Sequence, residues 1–360
     1  MTSHNDASAA EPTYFDDECF HQSFTLPPSA NRPEGFKVTY ADFGHRNDER
    51  VLLFCGPLVG SRYVLATKDE CAKQHGVRII SADRPGFGGT PDVPPASRIR
   101  VWLDIVAALL QHLGIRHVAV FGYSAGAIYA MNVLRSQRHL LHPARPYVAL
   151  CTPWVHPVHS GVSTLKVAGL LPNGLVGSFD RVLQLVGSLG PAVHFSNVLA
   201  GLVPSLGWGG QDVLAPGVDA DAVRREEGRL PDILGRITGE EVRGVSQDAL
   251  LLLKRDEYPG CWGAWGDYDK LVPLLAQAER ERRAADPGNA SPLRVRVFFA
   301  ESDRMIGTTQ AQGWLNSCWR AEQRGDDIEY SSATVPKTNH DSIIELRYGV
   351  IQQIFQDMTN

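Results

Sequence analysis

A five-residue segment, Gly-Tyr-Ser-Ala-Gly at positions 122–126, constrains the fold of this chain more than any other feature. An apolar, β-rich run at 117–121 precedes it, and apolar residues at helical spacing follow it at 128–134. A serine on a sharp strand-to-helix turn is held in a strained backbone conformation that projects its hydroxyl clear of the sheet. Strand and helix pass close together there, which requires the small residues Gly122 and Gly126. The segment predicts such a turn around Ser124, and a Gly-Ser turn without chemistry fits the same residues.

Strand-like and helix-like segments alternate along most of the chain. Strands are predicted at 36–42, 51–55, 76–82, 117–121, 146–151, 294–300 and 328–334. Helices are predicted at 61–75, 99–113, 128–134 and in a final segment with Ile343, Ile344, Ile351 and Ile354 on an apolar stripe. Strands that alternate with helices form parallel sheets covered on both faces. The predicted fold class is therefore α/β, with a mostly parallel twisted sheet flanked by helices.

The alternation is interrupted between residues 154 and 291, where no convincing strand is found. The stretch 182–211 has no Asp, Glu, Lys or Arg, whereas 221–283 is charged and helix-like. Prolines and several glycines interrupt the uncharged stretch, which argues against a membrane span and favours short helices over a cavity. We therefore predict a helical cap or lid at 154–291, inserted after the sixth strand. The core would comprise 31–153 and 292–360, behind a flexible lead-in at 1–30.

Composition and charge argue against several classes of partner. Apolar residues make up 43% of the chain and charged residues 21%, which is an ordinary balance for a globular protein. The net charge of −5 supplies no electrostatic footprint for nucleic acid, so no such partner is expected. The six cysteines lack CxxC spacing, and the N-terminal residues show no secretory signal. We therefore expect a cytoplasmic protein with reduced thiols, whose oligomeric state the sequence leaves open.

Two residues after later strands complete a candidate catalytic set with Ser124. A serine hydroxyl is a weak nucleophile unless a base removes its proton, and that base needs a third group to orient it. Loops at the carboxyl ends of parallel strands converge on one crevice. Asp303 follows the strand at 294–300, and His340 follows the last strand. Asp303 also fits a turn that caps local backbone, Glu301 is a second candidate acid, and His340 also fits a helix cap.

A further segment, Asp-Arg-Pro-Gly-Phe-Gly-Gly-Thr at 83–90, closely resembles the Asp-Arg-x-Gly-x-Gly-x-Ser loop of the α/β-hydrolase fold. With the nucleophile elbow at 122–126 and the order serine, acid, histidine, the chain resembles this family from about residue 36 to 356. The resemblance implies a Ser124–Asp303–His340 triad and places the insertion where the family has its cap domain. It also implies a hydrolase of the carboxylic ester type. The family's epoxide hydrolases and haloalkane dehalogenases use aspartate at the elbow, so Ser124 argues against those reactions.

The segment expected to form the oxyanion hole departs from the family pattern. The resemblance implies one donor at the backbone N–H of Ala125 and a second in a His-Gly-x-Pro loop after the third strand. Here the segment is Cys55-Gly56-Pro57-Leu58, and Pro57 stands in the usual donor position without an N–H to donate. A small shift of this loop would give the role to Leu58, which is the version we prefer.

The remaining site predictions concern substrate, metal and cofactor. His156 and His159 form an HxxH, but no third ligand has matching spacing, so neither a metal nor a cofactor is expected. The apolar first half of the insertion predicts a hydrophobic small-molecule substrate. Hydrolysis of an ester, lactone or thioester is the first hypothesis, with carbon–carbon bond hydrolysis or a lyase step on the same triad, and non-catalytic ligand binding, as alternatives. The predicted substrate-binding residues are Tyr123, Pro57, Trp154 and His156.

Overall fold

The computed structural model describes residues 13–28, 34–46, 50–181, 213–255, 260–263, 265–288 and 291–359. The uncharged stretch at 182–211, where short helices were predicted, lies outside the described residues. Within the described ranges, no helix is long and apolar enough to cross a membrane.

One eight-stranded sheet forms the centre of the molecule, in the order β1-β2-β4-β3-β5-β6-β7-β8. The strand β2 pairs antiparallel with both β1 and β4, and every other neighbouring pair is parallel. The predicted mostly parallel sheet is therefore confirmed. The strands are β1 Gln22–Leu26, β2 Phe36–Gly44, β3 Val51–Cys55, β4 Arg78–Ala82, β5 Ala119–Tyr123, β6 Tyr147–Cys151, β7 Leu293–Ala300 and β8 Ile328–Val335.

Helices cover both faces of this sheet. Those before β6 are α1 Asp69–Gln74, α2 Pro95–His112 and α3 Gly126–Ser136. Those found in the described residues between β6 and β7 are α4 Pro157–Ser160, α5 Ser163–Leu170, α6 Asn173–Val176, α7 Ala220–Gly239, α8 Gly244–Leu252 and α9 Tyr268–Ala285. Those after β7 are α10 Thr309–Cys318, α11 Ala321–Arg324 and α12 Val350–Asp357.

Alternate residues of the central strands enter the cores on opposite faces of the sheet. In β3, Leu53 packs into one core and Leu52 and Phe54 into the other, and all five residues of the strand are buried. Because each buried large apolar side chain contributes about 1.5–3 kcal/mol, the two cores make the sheet a rigid platform for the loops at its edge.

Three predictions about elements need correction. The lead-in predicted for residues 1–30 is wrong for residues 22–26, which form the edge strand β1, paired with β2. The helix predicted at 61–75 is shorter, since a 3-10 turn at Ala66–Lys68 precedes α1, which begins only at Asp69. The backbone N–H of Arg62, upstream of this turn, donates to the buried carboxylate of Asp83 at 2.7 Å. Ile343 and Ile344 lie on a 3-10 turn and not on the final helix, which begins at Val350.

The segment between β6 and β7 contains helices and no named strand within its described residues. Its last helix, α9, buries Tyr268, Leu271 and Leu275 in the same core as β6 and β7, so it flanks the sheet directly. Helices α8 and α7 also bury residues in the two cores of the sheet, among them Leu251 and Val223. The cap predicted at 154–291, with its bounds and its action as a lid, stays a prediction.

Candidate active site

Ser124 lies on the sharp turn between β5 and α3, as the sequence predicts. Its φ angle is +53°, a left-handed conformation that L-residues other than glycine rarely adopt and that costs about 1–2 kcal/mol. Backbone hydrogen bonds stabilise the turn: the N–H of Ser124 donates to Cys151 O at 3.0 Å, and the N–H of Trp154 donates to Ser124 O at 3.0 Å. The end of β6 therefore holds the strained residue in place.

Two glycines permit the close approach of strand and helix at this turn. A Cβ atom on Gly126 would lie 1.9 Å from Cys55 O, and one on Gly122 would lie 2.9 Å from the Cα of Ala127. Real Cβ atoms do not approach other atoms within 3.0 Å. These close contacts are the reason why small residues are required on both sides of Ser124.

Ser124, His340 and Asp303 lie together at the carboxyl ends of β5, β8 and β7. Ser124 Oγ is 2.9 Å from His340 Nε2, and His340 Nδ1 is 2.8 Å from Asp303 Oδ2. All three side chains are buried, with exposed fractions of 3%, 5% and 5%. The three polar groups therefore form one continuous hydrogen-bonded chain, which is the geometry required for proton removal from a serine hydroxyl.

Asp303 makes both kinds of contact that the sequence left open for it, one with local backbone and one with His340. Its Oδ1 accepts hydrogen bonds from the N–H groups of Met305 at 3.0 Å and Ile306 at 2.8 Å, while its Oδ2 faces His340. Glu301, the other candidate acid, is exposed, and its carboxylate accepts from the N–H of Lys337 at 2.8 Å. The local turn therefore orients the Asp303 carboxylate toward the imidazole.

The surroundings of His340 favour a basic imidazole. Burial acts to lower the pKa of His340, but the charge and hydrogen bond of Asp303, with the charge of Asp341, raise this pKa above its usual value. Tyr123 lies against the imidazole with ring centroids 5.9 Å apart, and its hydroxyl donates to His340 O at 3.0 Å. Burial raises the pKa of Tyr123 well above its usual value, so the hydroxyl remains a neutral donor.

The loop after β3, which carries the predicted oxyanion donor, is held by a residue that sequence reasoning missed. Arg84 donates to Gly56 O and to Pro57 O, both at 2.6 Å. Within the described part of the chain, no acceptor is found for the backbone N–H of Ala125 or of Leu58. Neither N–H group is therefore used by the described protein, and Pro57 itself has no N–H to donate.

The loop at 83–90 owes its position to Asp83. This fully buried carboxylate accepts from Arg62 Nη1 and from the hydroxyl of Thr39, both at 2.6 Å. Arg62 in turn binds Glu240 at the end of the insertion helix α7, with distances of 2.6 and 2.8 Å. The loop that supplies Arg84 is therefore fastened both to the core and to the insertion.

The predicted substrate-binding residues lie near the turn but are engaged in protein contacts. Tyr123 is 4% exposed and Trp154 is 6% exposed, and the indole of Trp154 donates to Leu252 O at 3.2 Å. His156 is half-buried beside α8 and stacks edge-on against Trp262. Burial and the charge of Lys254 lower the pKa of His156 below its usual value. Contact of these residues and Pro57 with substrate stays a prediction.

Neither a metal site nor a disulfide is present among the described residues. No group of three or more His, Cys, Asp or Glu side chains there could hold a metal ion. His159 stacks on Trp314 at a centroid distance of 3.8 Å. The six cysteines are all free and buried.

The sequence matches a family model described as alpha/beta hydrolase fold over residues 50–205. No curated protein matches the chain in a sequence comparison.

Solved structures with similar folds include several hydrolases. A thermophilic esterase from Thermogutta terrifontis has a TM-score of 0.55 at 18% identity, over 94% of this chain and 100% of the esterase. An enol-lactonase from Burkholderia xenovorans has a TM-score of 0.53 at 14% identity, over 90% of this chain and 97% of the lactonase. An epoxide hydrolase from Vigna radiata has a TM-score of 0.54 at 13% identity, over 94% and 98%. At such identities the likeness establishes the fold alone, and the reaction depends on the site residues.

Proposed function

Because the chain has the α/β-hydrolase fold, we propose that it is a serine hydrolase that cleaves an ester, lactone or thioester of a hydrophobic small molecule. The observation that carries this proposal is the hydrogen-bonded chain from Ser124 through His340 to Asp303, with distances of 2.9 and 2.8 Å. A nucleophile, a base and an orienting acid in this order are what acyl transfer through a covalent intermediate requires.

The proposed reaction proceeds in two halves. Ser124 Oγ attacks the carbonyl carbon of the substrate while His340 Nε2 takes the hydroxyl proton, and Asp303 stabilises the resulting imidazolium. The tetrahedral intermediate then expels the alcohol or thiol, which receives the proton from His340. A water molecule attacks the acyl-enzyme by the same route, which releases the acid and restores the free hydroxyl of Ser124.

The negative oxygen of each tetrahedral intermediate would bind the N–H groups of Ala125 and Leu58. One such donor is worth about 3 kcal/mol of transition-state stabilisation in acyl transfer. Both N–H groups lack an acceptor within the described residues, which supports this assignment despite the absence of a donor at Pro57.

Two features of the relatives and the site bear on the reaction class. The similar folds include esterases, an enol-lactonase and an epoxide hydrolase. Serine at position 124 argues against epoxide opening, since the family's epoxide hydrolases carry aspartate there. The uncharged stretch at 182–211 of the insertion favours a hydrophobic acyl group.

The proposal is tested by labelling the protein with a fluorophosphonate, which phosphonylates an activated serine. We expect labelling of the wild-type protein and none of Ser124→Ala or His340→Ala. Ser317→Ala is the matched control, because its hydroxyl donates to Trp314 O within α10, and it should label like the wild type. A panel of p-nitrophenyl esters and thioesters of increasing acyl length then tests the substrate class, with longer acyl chains expected to react faster.

Each alternative function gives a different result. Labelling without turnover of any ester or thioester would favour carbon–carbon bond cleavage or a lyase step on the same triad. A wild-type protein that does not label at Ser124 would refute the hydrolase proposal and favour ligand binding without catalysis. A strong preference for short, charged esters would contradict the hydrophobic substrate.

A further inference from the structure

The helical insertion reaches the oxyanion loop through one buried carboxylate. Asp248, in α8, has no exposed surface. Its Oδ2 accepts from Arg84 Nε at 3.0 Å, and its Oδ1 accepts from Arg98 Nε at 2.5 Å and from the hydroxyl of Tyr129. A buried carboxylate is tolerated only where its charge is compensated, and here two guanidinium groups and a hydroxyl surround it. Asp248 is therefore bound to the core at three points.

Arg84 uses its three nitrogens for three different acceptors. Nε binds Asp248, Nη1 binds Gly56 O and Nη2 binds Pro57 O, the last two at 2.6 Å. The guanidinium also lies 4.8 Å from the ring centre of Phe87 and 5.0 Å from that of Tyr129. Because the guanidinium is planar and its donors have fixed directions, the position of Asp248 determines where the two carbonyl groups are held.

The geometry of the peptide unit carries this constraint to the proposed oxyanion donor. Pro57 O and the N–H of Leu58 belong to one peptide, and no peptide bond in the described residues is cis. In a trans peptide the C=O and the N–H point in opposite directions. With Pro57 O held by Arg84, the N–H of Leu58 is directed away from Arg84. Gly126, where a Cβ would lie 1.9 Å from Cys55 O, allows the same loop to lie close to the start of α3.

We propose that Asp248 is a positioning residue for the reaction, which acts on the oxyanion donor of Leu58 through Arg84. The inference rests on the proposed function of Ser124, since only a reaction at that serine uses the donor. The insertion then does more than cover the site, because it supplies the carboxylate that orients the oxyanion loop.

The test compares Asp248→Asn and Arg84→Lys with the control Glu240→Gln. Glu240 also joins the insertion to the core, through Arg62, but it contacts neither Arg84 nor the oxyanion loop. Four quantities are measured: the second-order rate of fluorophosphonate labelling, the inhibition constant of an alkyl trifluoromethyl ketone, KM for a p-nitrophenyl ester, and the thermal midpoint. The ketone forms a tetrahedral adduct with serine and therefore reports on the oxyanion hole directly.

We expect Asp248→Asn to lower the labelling rate and the ketone affinity in parallel, each by about tenfold or more, with little change in KM. Arg84→Lys should act in the same way, because an ammonium group cannot replace the planar fork. Glu240→Gln should change the labelling rate and the ketone affinity by less than about threefold, even where its thermal midpoint falls as far as that of Asp248→Asn.

Wild-type rates and ketone affinity in Asp248→Asn would overturn the inference, while labelling of the wild type at Ser124 would leave the hydrolase proposal standing. Equal losses in Glu240→Gln would also overturn it, since general loosening of the insertion would then explain them. If Asp248→Asn does not fold, Arg84→Lys decides by the same criteria. A wild-type protein that does not label refutes the proposed function itself, and the role of Asp248 with it.

Discussion

The contact between α3 and the end of β3 leads to a quantitative expectation for Gly126→Ala. The new Cβ would lie 1.9 Å from Cys55 O and 2.6 Å from Gly56 O, and both of these are backbone atoms without rotamers to adjust. To reach the 3.0 Å that real Cβ atoms keep, the loop after β3 must move away from α3 by about 1 Å.

The displaced loop carries the peptide of Pro57 and Leu58, so the substitution should also lower the rate of the reaction at Ser124. A misplacement of about 1 Å lowers the rate of an enzymatic reaction by about 10²-fold. Overpacking of a well-packed contact costs about 1–3 kcal/mol of folding free energy. We therefore expect Gly126→Ala to label with fluorophosphonate about 10²-fold more slowly and to remain folded at room temperature, since domains of this kind have about 5–15 kcal/mol of stability.

Two further glycines make the measurement a graded series. Gly122→Ala brings a Cβ to 2.9 Å from Ala127 Cα, a smaller overlap that should give an intermediate loss. Gly228 lies exposed inside α7 with nothing within 4 Å, so Gly228→Ala should label normally and gain about 0.5–1 kcal/mol of stability in urea unfolding. Labelling of Gly126→Ala within about threefold of the wild type would refute the argument from close approach.

Two other predictions concern buried charges. The imidazole of His340 must be neutral to act as a base, and its pKa is raised by Asp303 and Asp341. We therefore expect kcat/KM for a p-nitrophenyl ester to rise with pH through a midpoint above 6.5, and Asp341→Asn to lower that midpoint. A midpoint below 6.5, or one that Asp341→Asn leaves in place, would contradict the role of these carboxylates at His340. Lys68 and Glu226 form an ion pair between the core and α7, with each residue only 2% exposed, so Glu226→Gln should cost about 3–5 kcal/mol in urea unfolding. The double change with Lys68→Met should recover part of that loss, and strictly additive costs would show that the two side chains do not interact.

The strands of the sheet were predictable because their burial leaves a simple pattern. β3 is buried along its whole length and has the bounds that its uninterrupted apolar run predicted, Val51–Cys55. The edge strand β1 was missed because only Phe24 and Leu26 of its five residues are buried, among polar neighbours. Phe24 and Leu26 alternate with polar residues, as in half-buried strands, but two apolar positions are too few to distinguish a strand from a lead-in, and the pairing with β2 is visible only in the structure.

The candidate site was predictable to the extent that its residues follow strand ends. Ser124, Asp303 and His340 each lie where the carboxyl end of a parallel strand meets a loop, and the sheet brings them together. Their catalytic role stays a prediction. Asp248 had no comparable signal, because it lies inside a helix and meets Arg84 across 164 residues of chain. A buried carboxylate of this kind is recognised only from its partners in three dimensions.

The two sides of the site are therefore held by different parts of the chain. Ser124, His340 and Asp303 are positioned by strands and turns of the core, whereas the loop after β3 is held by Arg84, which also binds Asp248 of the insertion. The backbone N–H of Gly244, at the start of α8, also donates to Gly86 O at 2.9 Å, which is a second link between the insertion and the loop at 83–90. If the insertion responds to a substrate, the oxyanion donor would change with it, and binding of the acyl group would then affect kcat as well as KM. Selectivity among acyl groups should accordingly be visible in kcat, and a panel in which only KM varies would argue that the insertion is a passive cover.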